Sequence, residues 1–380
     1  MPKTRAAAAN GSGSLPRNRQ AGAPGSHLRL QEDRLPASST HREPTAMRLA
    51  LLLLLLVAGA ASARGQPVYG PRLEGFEYPF PVHLYAFTSQ RQPLEMAYLD
   101  VPPRGEPNGR TVLLLHGKNF CAATWQDTIQ ALAGAGFRVV APDQVGFCKS
   151  SKPAHYQFSP GQLAANTHAL LESLGIHQAA VAGHSMGGML AIRYALMYPR
   201  STTQLLLVNP IGLEDWKAAG VPWRSIDDWY ERELRTSYEG IRRYQMEVYY
   251  AGTWRPAFER WARMLAGLFE GPGRQAVAWD QALTDDMVYS QPVVYELPRV
   301  AVPTTLFIGL KDRTAIGKDA APAAIRPTLG DYPVLGHRAA AAIPGAKLVE
   351  FADLGHSPQV QDASRFHAAL LDALAPAAPE

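Results

Sequence analysis

The segment GHSMGG, residues 183–188, constrains this chain more than any other stretch. It follows residues 178–182, a short apolar run that reads as a buried strand, and precedes residues 189–197, whose apolar side chains recur at helical spacing up to Tyr198-Pro199. Strand, sharp turn and helix in so few residues force two backbones together, and Gly183 and Gly187 permit this because they carry no Cβ. Ser185 stands at the apex in Gly-x-Ser-x-Gly spacing, which makes it the candidate nucleophile. The same pattern also fits an ordinary glycine-rich turn, so its surroundings have to decide.

Those surroundings alternate between two periods. Residues 82–87 and 95–101 read as an opening pair of strands. Residues 111–115, 138–141, 179–182, 204–208, 304–308 and 347–351 are short runs rich in Val, Leu and Phe, as in strands buried on both faces. Residues 124–133, 162–174, 186–198 and 363–374 carry apolar positions at helical spacing. The alternation predicts an α/β domain with a mostly parallel central sheet flanked by helices. Residues 211–302 interrupt it, too long for a connection within a compact sheet and with helical patterns of their own. The expected organisation is therefore a core of residues 64–210 and 303–380, with a helical insertion at 211–302 after the sixth strand. Six of the seven tryptophans fall in that insertion: Trp216, Trp223, Trp229, Trp254, Trp261 and Trp279. Any one of them suits the insertion's own core, and collectively they imply an apolar layer of which some should roof a pocket.

The net charge of +4 is misleading. Residues 1–63 hold eight Lys or Arg against three acids, and the rest of the chain is close to neutral, with 29 basic and 30 acidic residues. A nucleic-acid partner is accordingly not expected. Residues 1–46 are rich in Ala, Gly, Ser, Pro and Arg with few large apolar side chains, a composition that does not offset ordering entropy, so they are expected to be a disordered extension. Met47-Arg48, an apolar run over 49–60 and Ala61-Ser62-Ala63 read as the three parts of a secretory signal peptide at 47–63. The run falls short of the roughly 20 apolar residues of a membrane span, so an exported protein, periplasmic or secreted, is expected, with no stable span after cleavage. Because a signal normally opens a chain, translation is expected to begin at Met47. A peptide from residues 11–34 recovered from cells would refute that start.

A serine after a central strand, an acid after a later strand and a histidine after the last one complete a pattern. Asp312 follows the strand at 304–308 in GLKDRT, and His356 follows the strand at 347–351 in DLGHSPQ. This order Ser, Asp, His resembles that of an α/β-hydrolase, in its capped serine-hydrolase branch, over roughly residues 80–375. The resemblance implies that Ser185 attacks a carbonyl carbon, His356 takes and returns its proton, and Asp312 holds the imidazole tautomer. It makes residues 211–302 a helical cap. It also implies an oxyanion hole from the backbone amides of Met186 and of Lys118 in HGKNFC, with Asn119 and Phe120 beside the site and His116 structural. The Lys118 side chain is expected to be solvated, the alternative being a cation at the pocket mouth that favours anionic substrates. Asp319, His337 and His367 are the competing acid and histidines, for which surface or packing roles are expected.

Capped relatives that open epoxides or displace halide carry aspartate where this chain has Ser185. The expected function is hydrolysis of a carboxylic ester, or a related small carbonyl compound with an apolar portion, through an acyl-enzyme. No cofactor or metal is expected, and the oligomeric state stays open. The alternatives are a cofactor-free perhydrolase or haloperoxidase, a C–C bond hydrolase of diketones, and, outside enzymes, an inert binding protein on the same fold. Cys121 and Cys148 are the only cysteines. Against the resembling family, Cys121 stands where serine is frequent and Cys148 where glycine is usual, on loops after neighbouring strands. In an exported protein that coincidence suggests a disulfide, which would stabilise the fold by about 3.5 kcal/mol.

Overall fold

The computed structural model describes residues 65–375, so the expected extension (1–46) and signal peptide (47–63) lie outside the described residues. Eight strands form one sheet: β1 (Val82–Ser89), β2 (Gln92–Val101), β3 (Thr111–Leu115), β4 (Arg138–Pro142), β5 (Ala179–His184), β6 (Thr202–Val208), β7 (Thr304–Gly309) and β8 (Lys347–Phe351). Their order across the sheet is β1-β2-β4-β3-β5-β6-β7-β8. The β1–β2 and β2–β4 pairings are antiparallel, and all others are parallel.

The apolar runs become strands because both sheet faces are covered, and the period of two divides each run between two cores. Val112, Leu114, Val139, Ala141, Ala182, Leu206 and Phe307 lie in one core; Leu113, Leu115, Val140, Val181, Leu205, Leu207 and Leu306 lie in the other. Helices α1 (Gln126–Gly134), through Ile129 and Leu132, and α10 (Ala363–Leu374), through Phe366 and Leu370, close the first. The second is closed by α2 (Pro160–Ser173), through Leu163 and Leu170, and by α3 (Met186–Met197), through Met189, Leu190 and Ile192. Each such side chain contributes about 1.5–3 kcal/mol on burial.

The residues between β6 and β7 form α4 (Ile226–Leu234), α5 (Tyr238–Tyr244), a π-helical turn (Gln245–Tyr249), α6 (Glu259–Glu270) and α7 (Arg274–Ser290). A short helix α8 (Tyr332–Ala342) precedes β8, and the single turn α9 (Pro358–Gln361) precedes α10. Among the described residues no helix is long and apolar enough to cross a membrane. The tryptophans pack rather than roof a pocket. Trp216, Trp229 and Trp261 are buried, Trp223 is 68% exposed, and none of the six lines the main cavity. Trp229 instead carries the guanidinium groups of Arg224 and Arg232 against its ring, 4.9 and 5.3 Å from the centroid.

Cys121 and Cys148 come together but do not bond. Both are buried free thiols, and their sulfurs, together with an Asp143 carboxylate oxygen, lie within 4.8 Å of one another. The expected disulfide is not formed: the two thiols stay in hydrogen-bond contact, with Cys121 Sγ 3.3 Å from Met264 Sδ and Cys148 Sγ 3.7 Å from the Phe120 carbonyl. A disulfide needs sulfurs about 2.05 Å apart. Burial, with Cys121 alongside, pushes the Cys148 thiol well above its ordinary pKa. Asp143 is engaged structurally, accepting from Ala122 N, Lys149 N and Tyr78 Oη at 2.8, 3.0 and 2.6 Å. Cys148 has φ +43°, a left-handed backbone that explains why glycine suits this position.

Among the described residues one buried acid lacks hydrogen-bond partners. Asp280 on α7 is 1% exposed and neither carboxylate oxygen accepts a hydrogen bond from them. Burial pushes its pKa up to about 8, against the opposing pull of Lys152. Between the ordinary carboxylate pKa and about 8 the unfolded chain loses this proton while the folded chain keeps it, so stability falls as pH rises across that window. Asp280→Asn removes the titration. Its stability relative to wild type should therefore increase by roughly 1–3 kcal/mol between about pH 5 and about pH 8.5 in urea denaturation. A gap that stays constant with pH would contradict this assignment.

Candidate active site

Parallel strands deliver the loops after β3, β5, β6, β7 and β8 to one edge of the sheet, and each loop brings a residue of the site. Ser185 caps the N-terminus of α3 with φ +56° and ψ −120°, a strained conformation for a residue with a side chain. The turn demands its glycines. A Cβ on Gly187 would collide with the Leu115 carbonyl, and one on Gly183 with the Gly187 carbonyl. Ser185 is 5% exposed and lines a cavity of about 410 Å³.

Asp312 and His356 are both fully buried and joined directly, with His356 Nδ1 2.6 Å from Asp312 Oδ2. Asn209, following β6, donates from Nδ2 to the same carboxylate oxygen at 2.8 Å and accepts from Gly309 N at 3.0 Å. The Thr314 amide donates to the other Asp312 oxygen at 2.8 Å. The carboxylate is thus fixed on both sides. His356 Nε2 is buried and makes no hydrogen bond among the described residues, so the structure pairs His356 with Asp312 but closes no bond from His356 to Ser185. Such contacts are commonly long before substrate binds. The main chain of His356 is also held: His184 Nε2 lies 2.9 Å from its carbonyl, and burial keeps His184 well below its ordinary pKa, hence a neutral donor. His356 N and Ser357 N donate to the carbonyls of Val248 and Tyr249 in the π-helical turn at 3.2 and 3.3 Å. Gly355 permits that approach, since a Cβ there would fall 2.7 and 2.8 Å from those carbonyl oxygens. The histidine loop therefore rests on the residues between β6 and β7.

The loop after β3 places Lys118 beside Ser185 on the cavity wall. Met186 is the first residue of α3, where an amide has no helical carbonyl to meet, and the Lys118 amide makes no hydrogen bond among the described residues. The Lys118 side chain is not solvated as expected. It is buried, with Nζ 3.1 Å from Glu233 Oε1 on α4 and 3.2 Å from Asp285 Oδ1 on α7. Burial opposes the ammonium charge, but Asp285 and Glu233 outweigh it and hold the Lys118 pKa above its ordinary value. Burial also pushes Asp285 up to about 7 in spite of Lys118. For Glu233 the attraction of Lys118 overcomes burial, and its pKa is lowered.

The remaining candidates separate cleanly. Asn119 lines the cavity and donates from Nδ2 to Tyr249 Oη at 2.9 Å, while Phe120 lines only a small adjoining cavity. His116 is buried between the Gly117 carbonyl and the Gln144 amide, at 2.9 and 3.0 Å. Asp319 is half-exposed on Arg224, His337 pairs with Glu350 at the surface, and His367 meets Thr128. Sequence reasoning missed Asn209, His184, Glu233 and Asp285. His184 lies within GHSMGG and Asn209 directly after a read strand, so those two had a positional signal. The other two lie far along the chain from Lys118, which they flank.

Comparison with known proteins agrees with this architecture. Residues 110–315 match the family model described as the alpha/beta hydrolase fold. The crystal structure of a probable hydrolytic enzyme from Pseudomonas aeruginosa PAO1 is 67% identical, covering 82% of this chain and 99% of that one, with a TM-score of 0.81. A 2-hydroxymuconate semialdehyde hydrolase of Pseudomonas putida is 27% identical over 242 residues, 60% of this chain and 74% of that protein. A 2-hydroxy-6-oxo-6-phenylhexa-2,4-dienoate hydrolase of Comamonas testosteroni is 31% identical over 137 residues, 35% of this chain, so that match spans about half (48%) of the relative's length. With a serine turn after β5, an acid and a histidine joined after β7 and β8, and a family match over more than half its length, this chain belongs to the α/β-hydrolase family.

Proposed function

We propose that this hydrolase cleaves a carboxylic ester through an acyl-enzyme on Ser185. The observation that carries the reading is the buried Asp312–His356 pair with a free Nε2, in a domain whose strained serine turn opens onto a cavity. His356 Nε2 takes the Ser185 proton as Oγ attacks the carbonyl carbon, and the imidazolium then protonates the departing alkoxide. Asp312, held by Asn209 and Thr314, keeps the Nδ1–H tautomer and stabilises the imidazolium. The amides of Met186 and Lys118 receive the oxyanion, and removal of one such donor costs about 10²–10³ in kcat in other hydrolases. Water then repeats the sequence on the acyl-enzyme. The α4–α7 residues act as a cap that closes the cavity over the bond and, through Val248 and Tyr249, supports the histidine loop. We further propose that residues 47–63 export the chain; Edman sequencing of the mature protein should then begin near Arg64, and an intact residue 47 would refute export by cleavage.

Likeness to two proteins named as hydrolases of a semialdehyde and of a phenylhexadienoate supports a second reading, cleavage of a C–C bond next to a ketone. A panel of p-nitrophenyl esters of rising chain length, with an amide, a lactone and a 1,5-diketone beside them, separates the two. The ester reading expects turnover of short and medium esters that exceeds that of the diketone by about tenfold or more. Cleavage of the diketone with inert esters would establish the second reading instead.

A further inference from the structure

The cavity that holds Ser185 is charged in a way ester cleavage does not require. Four cations line it, Lys118, Arg232, Arg235 and Arg243, against two carboxylates, Glu233 and Asp285. Both carboxylates are paired with Lys118, with Arg232 acting on them at longer range, which leaves Arg235 and Arg243 without an ion pair from the cavity wall. Arg232 is partly engaged, over the Trp229 ring and 3.7 Å from Asp319. Arg235 and Arg243 make neither a side-chain hydrogen bond nor an ion pair among the described residues, although Arg235 also lines an adjoining cavity with Asp228, Glu231 and Asp319.

Exposed arginines at a cavity mouth are commonplace, and alone they would indicate solvation. A second observation points to a ligand. Gln245 begins the π-helical turn next to these arginines, lines the same cavity and is 1% exposed, yet neither its carboxamide nitrogen nor its oxygen has a partner. Buried polar groups are rarely left unsatisfied, because each one costs desolvation that no hydrogen bond returns. Here a carboxamide that burial leaves unmatched shares a cavity with two guanidinium groups, those of Arg235 and Arg243, that make no ion pair among the described residues. Arginine and a primary amide together suit the planar, two-oxygen geometry of a carboxylate.

We infer that the substrate carries a carboxylate distal from the scissile carbonyl, bound by Arg235 and Arg243 with Gln245 hydrogen-bonding beside them. The substrate class is thus the half-ester of a dicarboxylic acid rather than a simple neutral ester. The apolar stretch between the two ends meets Ile241, Leu265 and Phe269. This inference rests on the acyl-enzyme reading for its chemistry but not for its binding site.

The test has two arms on the full chain. In the first, dicarboxylates from succinate to suberate are titrated against Ser185→Ala by calorimetry, with hexanoate as the singly charged comparison. One dicarboxylate should bind about tenfold more tightly than hexanoate, and the double variant Arg235→Gln/Arg243→Gln, in the Ser185→Ala background, should lose that margin. In the second, the ratio of kcat/KM for mono-p-nitrophenyl adipate over p-nitrophenyl hexanoate is measured within each protein, so that a general loss of fold or turnover cancels. Wild type should give a ratio of about ten or more, and the arginine variant and Gln245→Leu should bring it toward one. Dicarboxylates that bind no better than hexanoate, or a ratio that the arginine variant leaves unchanged, would overturn the inference. Tight dicarboxylate binding without turnover of either ester supports the anion site and instead defeats the acyl-enzyme reading.

Discussion

Asp312→Asn is expected to lower kcat on a good ester by about 10⁴-fold with KM changed only a few-fold. The reason lies in who surrounds the carboxylate. Oδ1 accepts from the Thr314 amide, so an asparagine at this position keeps its oxygen there and turns its NH₂ toward His356 and Asn209. Asn209 is not free to turn over, because its own oxygen accepts from Gly309 N. The new NH₂ therefore meets two donors, and His356 relieves one clash by moving its proton from Nδ1 to Nε2. In that tautomer Nε2 has no lone pair for the Ser185 proton. The comparison variant is Asp319→Asn. Asp319 follows the same strand but sits half-exposed on Arg224 and Arg232, so its loss should leave kcat within about twofold. Steady-state kinetics on both variants check this, and equal losses would remove Asp312 from its assigned role.

Lys118→Met is expected to destabilise the fold by about 3–5 kcal/mol, because it leaves Glu233 and Asp285 buried together without their cation. Coulomb attraction in this site offsets the desolvation of Lys118 and Glu233 and part of that of Asp285, and a single deletion keeps the desolvation while discarding the attraction. The loss should grow between about pH 5 and about pH 8. Without Lys118 both carboxyls have folded-state pKa values raised above their unfolded values, so they stay protonated at the acid end and the folded state is penalised as pH rises through them. Replacing all three, as Lys118→Met with Glu233→Leu and Asp285→Leu, should recover most of the stability, since apolar groups of similar volume need no counter-charge. Urea denaturation at the two pH values measures both effects. A pH-independent loss below about 1 kcal/mol would show that the three side chains are solvated after all.

The fold was legible because a parallel sheet covered on both faces leaves a strong trace. Runs such as 111–115 and 204–208 admit almost no polar residue, and the strands Thr111–Leu115 and Thr202–Val208 follow them closely. The places of Ser185, Asp312 and His356 in the fold were legible for a related reason: each lies on a loop just past such a strand, and parallel strands collect those loops at one edge. The cavity was not legible. Helical periodicity tells which face of α4 or α7 is apolar but not which turn of each meets Lys118, so Glu233 and Asp285, 115 and 167 positions away, gave no signal. Composition misled on the tryptophans for the same cause, since abundance in a segment does not say which way a ring faces. The cysteines lie between these cases. Their loops come together as the strand order requires, but a sulfur–sulfur bond depends on side-chain direction, and Cys121 points to Met264.

The central claim is that Ser185 is the nucleophile of a hydrolase that uses His356 as base and Asp312 to orient it, and its most direct test is covalent. Full-length protein treated with a fluorophosphonate and digested should carry the adduct on the peptide that contains Ser185, at one equivalent, while folded Ser185→Ala carries none. An adduct on another residue, or an unlabelled wild type that is folded, would contradict the account.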